Sequence, residues 1–189
     1  MPKSIIINKH GGPEVLELVD VKISPPGPNH LRIRNLAIGI NFIDTYHRTG
    51  LYPIKLPCGL GMEGAGIVEE VGSKVKNFSK GDRVAYASPP LGSYSEERII
   101  PEKIAVKIPE GVTDKIAASI MTKGLTTYYL LYKTYKVSAG ETILFHAAAG
   151  GVGHIFCQWA KSLDCKIIGT VGSDSKVDIA KKNGCDFVI

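Results

Sequence analysis

Two hydrophobic rhythms divide the chain. In the first, short apolar or alternating runs recur between turns rich in glycine and proline, at residues 4–7, 14–21, 31–40, 65–71 and 82–87. The first two predict a hairpin turned at His10-Gly11-Gly12-Pro13, and Pro25-Pro26-Gly27-Pro28 predicts a loop. Short strands at regular spacing predict a small barrel. Past residue 112 the period lengthens. Residues 113–121 and 124–135 read as two helices, with Thr122-Lys123-Gly124 as the break between them.

The second rhythm is strand, turn, helix. Residues 142–147 carry the apolar run Ile143, Leu144, Phe145 of a buried parallel strand. Small residues follow (Ala147, Ala148, Ala149, Gly150, Gly151, Gly153), then Ile155, Phe156, Trp159, Ala160 and Leu163 at helical spacing. Residues 166–171 predict a second strand, 174–184 a second helix, and 186–189 the start of a third strand. This is the opening of a doubly wound dinucleotide-binding unit, with strands 3, 2 and 1 of the order 3-2-1-4-5-6.

The turn explains the lack of bulk. Backbone N–H groups at a helix start must approach a pyrophosphate, and the helix must sit close on its strand. Gly150, Gly151, Val152 and Gly153 are the candidates; aligned on Gly150 and Gly153, the first position of G-x-G-x-x-G is Ala148. About 20 residues on, where the ribose is read, stand Gly172, Ser173, Asp174, Ser175 and Lys176. A site for NAD usually ends its strand on an acid. Gly172 and Ser173 with Lys176 in reach favour a 2′-phosphate, hence NADPH, while Asp174 points the other way. Asp174 or Ser173 can also serve to cap the following helix, and Lys176 can be a solvated lysine.

Composition narrows the classes. The chain has 189 residues, 44% hydrophobic and 22% charged, enough for a real core. No apolar run approaches a membrane span. The start, with Lys3 ahead of three consecutive isoleucines, is too short for a signal peptide, so a cytoplasmic location is expected. The net charge of +5 is scattered, without the basic stripe and interleaved aromatics of a single-strand binder. Nucleic acid is therefore not expected, and steep salt dependence would mark the RNA-binding alternative. Cys58, Cys157, Cys165 and Cys185 form no C-x-x-C pair and the five histidines show no ligand spacing, which argues against zinc and a disulfide framework. His146 is expected in the core of its strand, whereas His154 stands where an apolar residue is expected after Gly153. No phosphate-binding loop of the NTPase type occurs.

Several stretches in order (KHGGPEVL, AIGINFIDTYHRTGLYP, GLGMEGAGIVEEVG, KGDRVAY, GLTTYYLL, GETILFHAAAGGVG and IIGTVGSDSK) resemble the zinc-independent quinone oxidoreductases of the medium-chain dehydrogenase/reductases, the zeta-crystallin group, and most of all its bacterial NADPH-dependent members. The resemblance runs from about Lys9 to the last residue. It implies a GroES-like, partly open barrel as catalytic domain over 1–123, and the first part of a Rossmann-type NADP-binding domain over 124–189. In zinc alcohol dehydrogenases of the wider superfamily, ligands fall where Asn41 and Met62 stand here. Glu63 or Asp44 alone makes no catalytic zinc site, so no metal is expected.

The implied reaction is NADPH-dependent reduction of a quinone, an acceptor for which positioning does most of the work. The resemblance gives Asn41 and Tyr46 a place by the nicotinamide and Tyr52 a place in the quinone pocket. It extends the cofactor contacts to Phe42, Ile43, Asp44, Thr45 and Tyr129, with the cofactor bound between the two domains. Read without it, Asn41 is a turn cap and the tyrosines are half-buried packing residues.

The same resemblance implies strands 4–6 beyond this sequence. If ~400 Å² of apolar surface is thereby left wet, the loss is ~10 kcal/mol at ~25 cal/mol/Å², against ~5–15 kcal/mol of net stability for a domain. A separate chain completing the sheet is then an expected partner, and the family's common homodimer is not assumed. The alternatives are a catalytically incompetent fragment or subunit, or a reductase of another activated enone.

Overall fold

A computed structural model describes every residue, Met1–Ile189. It divides into two units, Met1–Thr122 and Lys123–Ile189. In unit 1 the expected hairpin forms from β1 (Lys3–Ile7) and β2 (Glu17–Asp20), paired antiparallel from Lys3↔Asp20 to Ile6↔Glu17. The remaining elements are β3 (His30–Gly39), α1 (Phe42–Thr49), β4 (Cys58–Gly59), β5 (Glu63–Val71), β6 (Arg83–Ala87), β7 (Glu97–Pro101) and β8 (Ala105–Lys107). One sheet has the order β2-β1-β4, and a five-stranded antiparallel sheet has the order β7-β3-β5-β6-β8. Leu31, Ile33, Val68, Val84, Tyr86 and Ile100 fill the main core, as the inward side of each pleat requires.

Four elements of unit 1 go beyond the sequence expectation: α1, β4, β7 and β8. The inward positions of β7 are Arg98 and Ile100, and a buried arginine breaks the apolar alternation that marks a strand. Arg98 is held by its donation to the Pro90 carbonyl at 2.6 Å and lies over the Tyr86 ring. In α1 the buried side chains are Asp44 and His47, so no apolar stripe announces the helix. Gly50, at φ +84°, ends it in the left-handed conformation that favours glycine.

The expected break at Thr122-Lys123-Gly124 does not occur. α2 (Asp114–Tyr129) is continuous and passes into a π-helical turn, Leu130–Thr134. A single glycine costs a helix about 1 kcal/mol, too little to end one that packs elsewhere.

Unit 2 continues with β9 (Thr142–Phe145), α3 (Gly151–Ser162), β10 (Lys166–Gly169), α4 (Val177–Lys182) and β11 (Phe187–Val188). Its sheet is parallel, in the order β11-β10-β9, with β9 at the edge. Phe145 and Phe156 stack at 4.0 Å and 19°, which seats α3 on β9. Leu131, Ala148, Cys157, Ala160, Ile167 and Ala180 complete that core. His146 is not part of it. β9 ends at Phe145, and the histidine lies exposed in the turn with Nδ1 3.1 Å from the Thr170 hydroxyl. No helix is long and apolar enough to cross a membrane.

Candidate active site

β3 ends at Gly39, and two residues later the chain turns into α1 with Asn41 at its N-cap. The Asn41 backbone N–H donates to Asp44 Oδ2 at 2.9 Å, so an acid in the first turn closes the helix start. The Tyr94 hydroxyl donates to the same oxygen at 2.7 Å. On its other side, Asn41 Nδ2 donates to Glu63 Oε2 at 2.6 Å and lies 3.5 Å from Thr122 Oγ1. Glu63 Oε1 accepts the Thr122 backbone N–H at 2.9 Å. Tyr94, Asp44, Asn41, Glu63 and Thr122 thus form one polar chain within unit 1. Asn41 and Asp44 are buried and Glu63 is fully so. Burial, reinforced by the Asp44 carboxylate, pushes the Tyr94 phenol well above its usual range.

The cavity for that carboxylate exists because Gly39 faces Glu63 in the β3–β5 register. A Cβ on Gly39 would stand 2.5 Å from Glu63 Oε2 and closer still to the Ala118 carbonyl. Gly39 is therefore required by space, with an ordinary backbone.

Beyond the polar chain lies an aromatic row. The Phe42 and Tyr46 rings meet edge to face at 5.3 Å, and Tyr46 and Tyr52 at 5.2 Å. Phe42 and Tyr52 are exposed and Tyr46 is half-buried. The Tyr52 N–H donates to the Tyr46 carbonyl at 3.1 Å, which folds residue 52 back on the helix. Thr45 donates its hydroxyl to the Phe42 carbonyl at 2.7 Å, and Ile43 is half-buried. The sequence-predicted residues 41–46 and Tyr52 are thus neighbours. The sequence reading weighs Glu63 only as a metal ligand and gives Tyr94 and Thr122 no role at the site. Their only sequence signal is the glycine at 39 opposite an acid, which needs the register to be seen.

In unit 2, Gly150 is the N-cap of α3 and Gly151, Val152 and Gly153 form its first turn, with no acid in that turn. These N–H groups have no intrahelical acceptor. A Cβ on Gly153 would lie 2.5 Å from the Ala148 carbonyl and 2.7 Å from that of Ala147, so the close approach predicted at this turn is real. The left-handed residue is Ala147, at φ +54°. The Lys123 stem lies across Gly151, where a Cβ would stand 2.8 Å from its Cε. Tyr129 is exposed at the end of α2. Gly172, Ser173 and Lys176 are exposed in the loop and short 3₁₀ turn before α4. Ser173 stands at the N-cap of the 3₁₀ turn Asp174–Lys176 that runs directly into α4, without a side-chain capping bond, and Asp174 lies in its first turn. The N-cap of α4 itself is Lys176, and the Ser173 hydroxyl lies 2.9 Å from that of Ser175.

Residues 27–110 match the alcohol dehydrogenase GroES-like domain family, and residues 151–189 match the zinc-binding dehydrogenase family. The chain is 57% identical over 185 residues to a quinone oxidoreductase of Pseudomonas aeruginosa, covering 97% of this chain and 57% of that protein. It is 45% identical to a 2-haloacrylate reductase of a Burkholderia species, covering 100% of this chain and 59% of the relative. The crystal structure of Escherichia coli quinone oxidoreductase complexed with NADPH superposes with a TM-score of 0.97 at 53% identity, over 99% of this chain and 58% of that one. The chain thus spans under two thirds of the length of these relatives.

Proposed function

We propose that this chain, which belongs to the quinone oxidoreductase family of the medium-chain dehydrogenase/reductases, contributes to the reduction of a quinone by NADPH without a zinc ion. The observation that carries the reading is Asn41, a neutral amide held by a buried carboxylate at the head of the row Phe42, Tyr46, Tyr52. Flat aromatic faces suit a flat quinone ring, and an amide suits a carbonyl or carboxamide. NADPH, when bound, supplies the hydride, and one further proton completes the hydroquinone. Tyr46 is the proposed donor of that proton, and Tyr52 lines the quinone side.

The residues present fit the cofactor. The first turn of α3 offers unbonded N–H groups of Gly151, Val152 and Gly153 to a diphosphate, with no acid to repel it. Lys176, with Gly172 and Ser173, is assigned to the 2′-phosphate. Tyr129 and residues 42–46 are assigned to the remainder of the cofactor.

The bare edge of β9 supports a further proposal, that more strands, from this protein or from a separate chain, complete this sheet. A second chemical reading, reduction of an activated carbon–carbon double bond as in an enone, is favoured by the 2-haloacrylate reductase among the relatives, whose named substrate is an α,β-unsaturated carboxylate. Fluorescence titration of the 189-residue chain with NADPH, followed by NADPH oxidation on adding 1,4-benzoquinone or 2-chloroacrylate, tests these readings. Micromolar binding with oxidation by the quinone supports the first, and oxidation by 2-chloroacrylate alone the second. Absence of binding by the folded chain leaves the reading in which more strands complete the sheet and this chain alone is incompetent.

A further inference from the structure

We propose that Glu63 is a positioning residue whose carboxylate fixes which way the Asn41 amide faces. The inference rests on the reading that Asn41 acts at the reaction site. Glu63 stands at the start of β5, fully buried, in the space that Gly39 leaves open. An ionised carboxylate only accepts hydrogen bonds. Oε1 takes the Thr122 backbone N–H at 2.9 Å, and Oε2 takes Asn41 Nδ2 at 2.6 Å. The nitrogen end of the amide is therefore drawn to Glu63, and its oxygen end faces the Asp44 backbone N–H as the other half of the capping box. The Thr122 hydroxyl, 3.5 Å from the same nitrogen, adds a second oxygen on that side.

Shape alone does not carry this preference, because an asparagine side chain is nearly isosteric with its own flipped form. The polarity of the partner decides. Glutamine at position 63 has the volume of glutamate but one donor and one acceptor end. Thr122 N–H is a fixed backbone donor, so the glutamine oxygen stays with it and the glutamine nitrogen faces Asn41. Two N–H groups then oppose each other unless the Asn41 amide rotates by about 180°. The rotation exchanges what Asn41 presents to a bound carbonyl or carboxamide, keeps the side-chain volume, and gives up the amide oxygen that faces the Asp44 N–H.

The test compares the full 189-residue chain with Glu63→Gln, Asn41→Ala and the double variant, in two readouts. In the side-chain amide spectrum of the ¹⁵N-labelled protein, the Asn41 pair (assigned by its loss in Asn41→Ala) is expected to move in Glu63→Gln. In NADPH oxidation by 1,4-benzoquinone, Glu63→Gln is expected to lower kcat at least about 10-fold. Because Glu63 acts through Asn41, adding Glu63→Gln to Asn41→Ala is expected to change the rate less than 2-fold. Fully additive rate losses, or an Asn41 amide pair that stays in place in Glu63→Gln, overturn the proposal. If the parent chain oxidises no NADPH, the quinone reading fails for this chain and the amide spectrum alone decides the positioning. If Glu63→Gln does not fold, Glu63→Asp, which withdraws the acceptor by one methylene without adding a donor, takes its place: the Asn41 pair is expected to move because its partner is lost, and the rate loss is again expected to vanish in the Asn41→Ala background.

Discussion

Tyr94 and Asp44 share a hydrogen bond of 2.7 Å, and the carboxylate oxygen that accepts it also accepts the N–H that begins α1. One atom thus ties the segment before β7 to the helix bearing the candidate site. Asp44 is buried, and its second oxygen has no partner. Removing a donor from a buried charged acceptor costs about 1–3 kcal/mol. Tyr94→Phe is expected to lower stability by that amount, read as the shift of a urea denaturation midpoint at constant slope.

Two glycine substitutions are expected to act in opposite directions. Gly39→Ala forces a methyl against Glu63 and the Ala118 carbonyl and is expected to cost about 3 kcal/mol. Gly124→Ala meets nothing within 4 Å in the middle of α2 and is expected to stabilise by about 1 kcal/mol. Thermal unfolding of the two variants beside the parent checks both.

Ala147 pays for its left-handed backbone with about 1 kcal/mol that a glycine would not. Part of that gain is lost to the freer unfolded chain. Ala147→Gly is therefore expected to raise stability by about 0.5 kcal/mol, seen as a small rise in Tm.

These positions indicate what was legible in the sequence. Strands with alternating apolar residues were readable, because burial on one face writes itself as a period of two. The glycine turn before α3 was readable because close approach excludes bulk. β7 and α1 were not, since their buried positions include Arg98, Asp44 and His47, held by hydrogen bonds and packing that composition does not reveal. Asn41, Tyr46 and Tyr52 come from the family resemblance of their stretch, since their own pattern says only turn cap and packing tyrosines. Their dependence on Glu63, Tyr94 and Thr122 needs the pairing of strands distant in sequence. The helix break at Gly124 failed because local propensity is weaker than the packing along α2.

Acid is expected to loosen unit 2 through Asp186. Its carboxylate accepts from Lys161 Nζ at 2.6 Å and from the Ile167 N–H at 2.8 Å, which hold it below the usual aspartate range. A depressed pKa stabilises the fold at neutral pH, and that contribution disappears as pH falls from about 4 through the folded-state value. Asp186→Asn is expected to flatten the acid limb of a stability-against-pH curve while lowering stability at pH 7.

Lys176 is the residue proposed to tell NADPH from NADH. Reversing its charge removes a charge-assisted hydrogen bond and adds repulsion. Lys176→Glu is expected to raise the NADPH dissociation constant about 10–100-fold and leave that for NADH within about 2-fold. Parallel fluorescence titrations with the two cofactors measure the ratio.

The place of β3 between β5 and β7 also sets an order of assembly on the ribosome. His30 pairs with Pro101, so one edge of β3 waits for roughly 70 residues of synthesis, about 4–14 s at 5–20 residues per second. β9 meets β10 after only α3 and a turn have been made. The nascent barrel therefore passes through a window of seconds with an open strand, when a holding chaperone has most to protect, whereas the βαβ segment closes almost as it emerges.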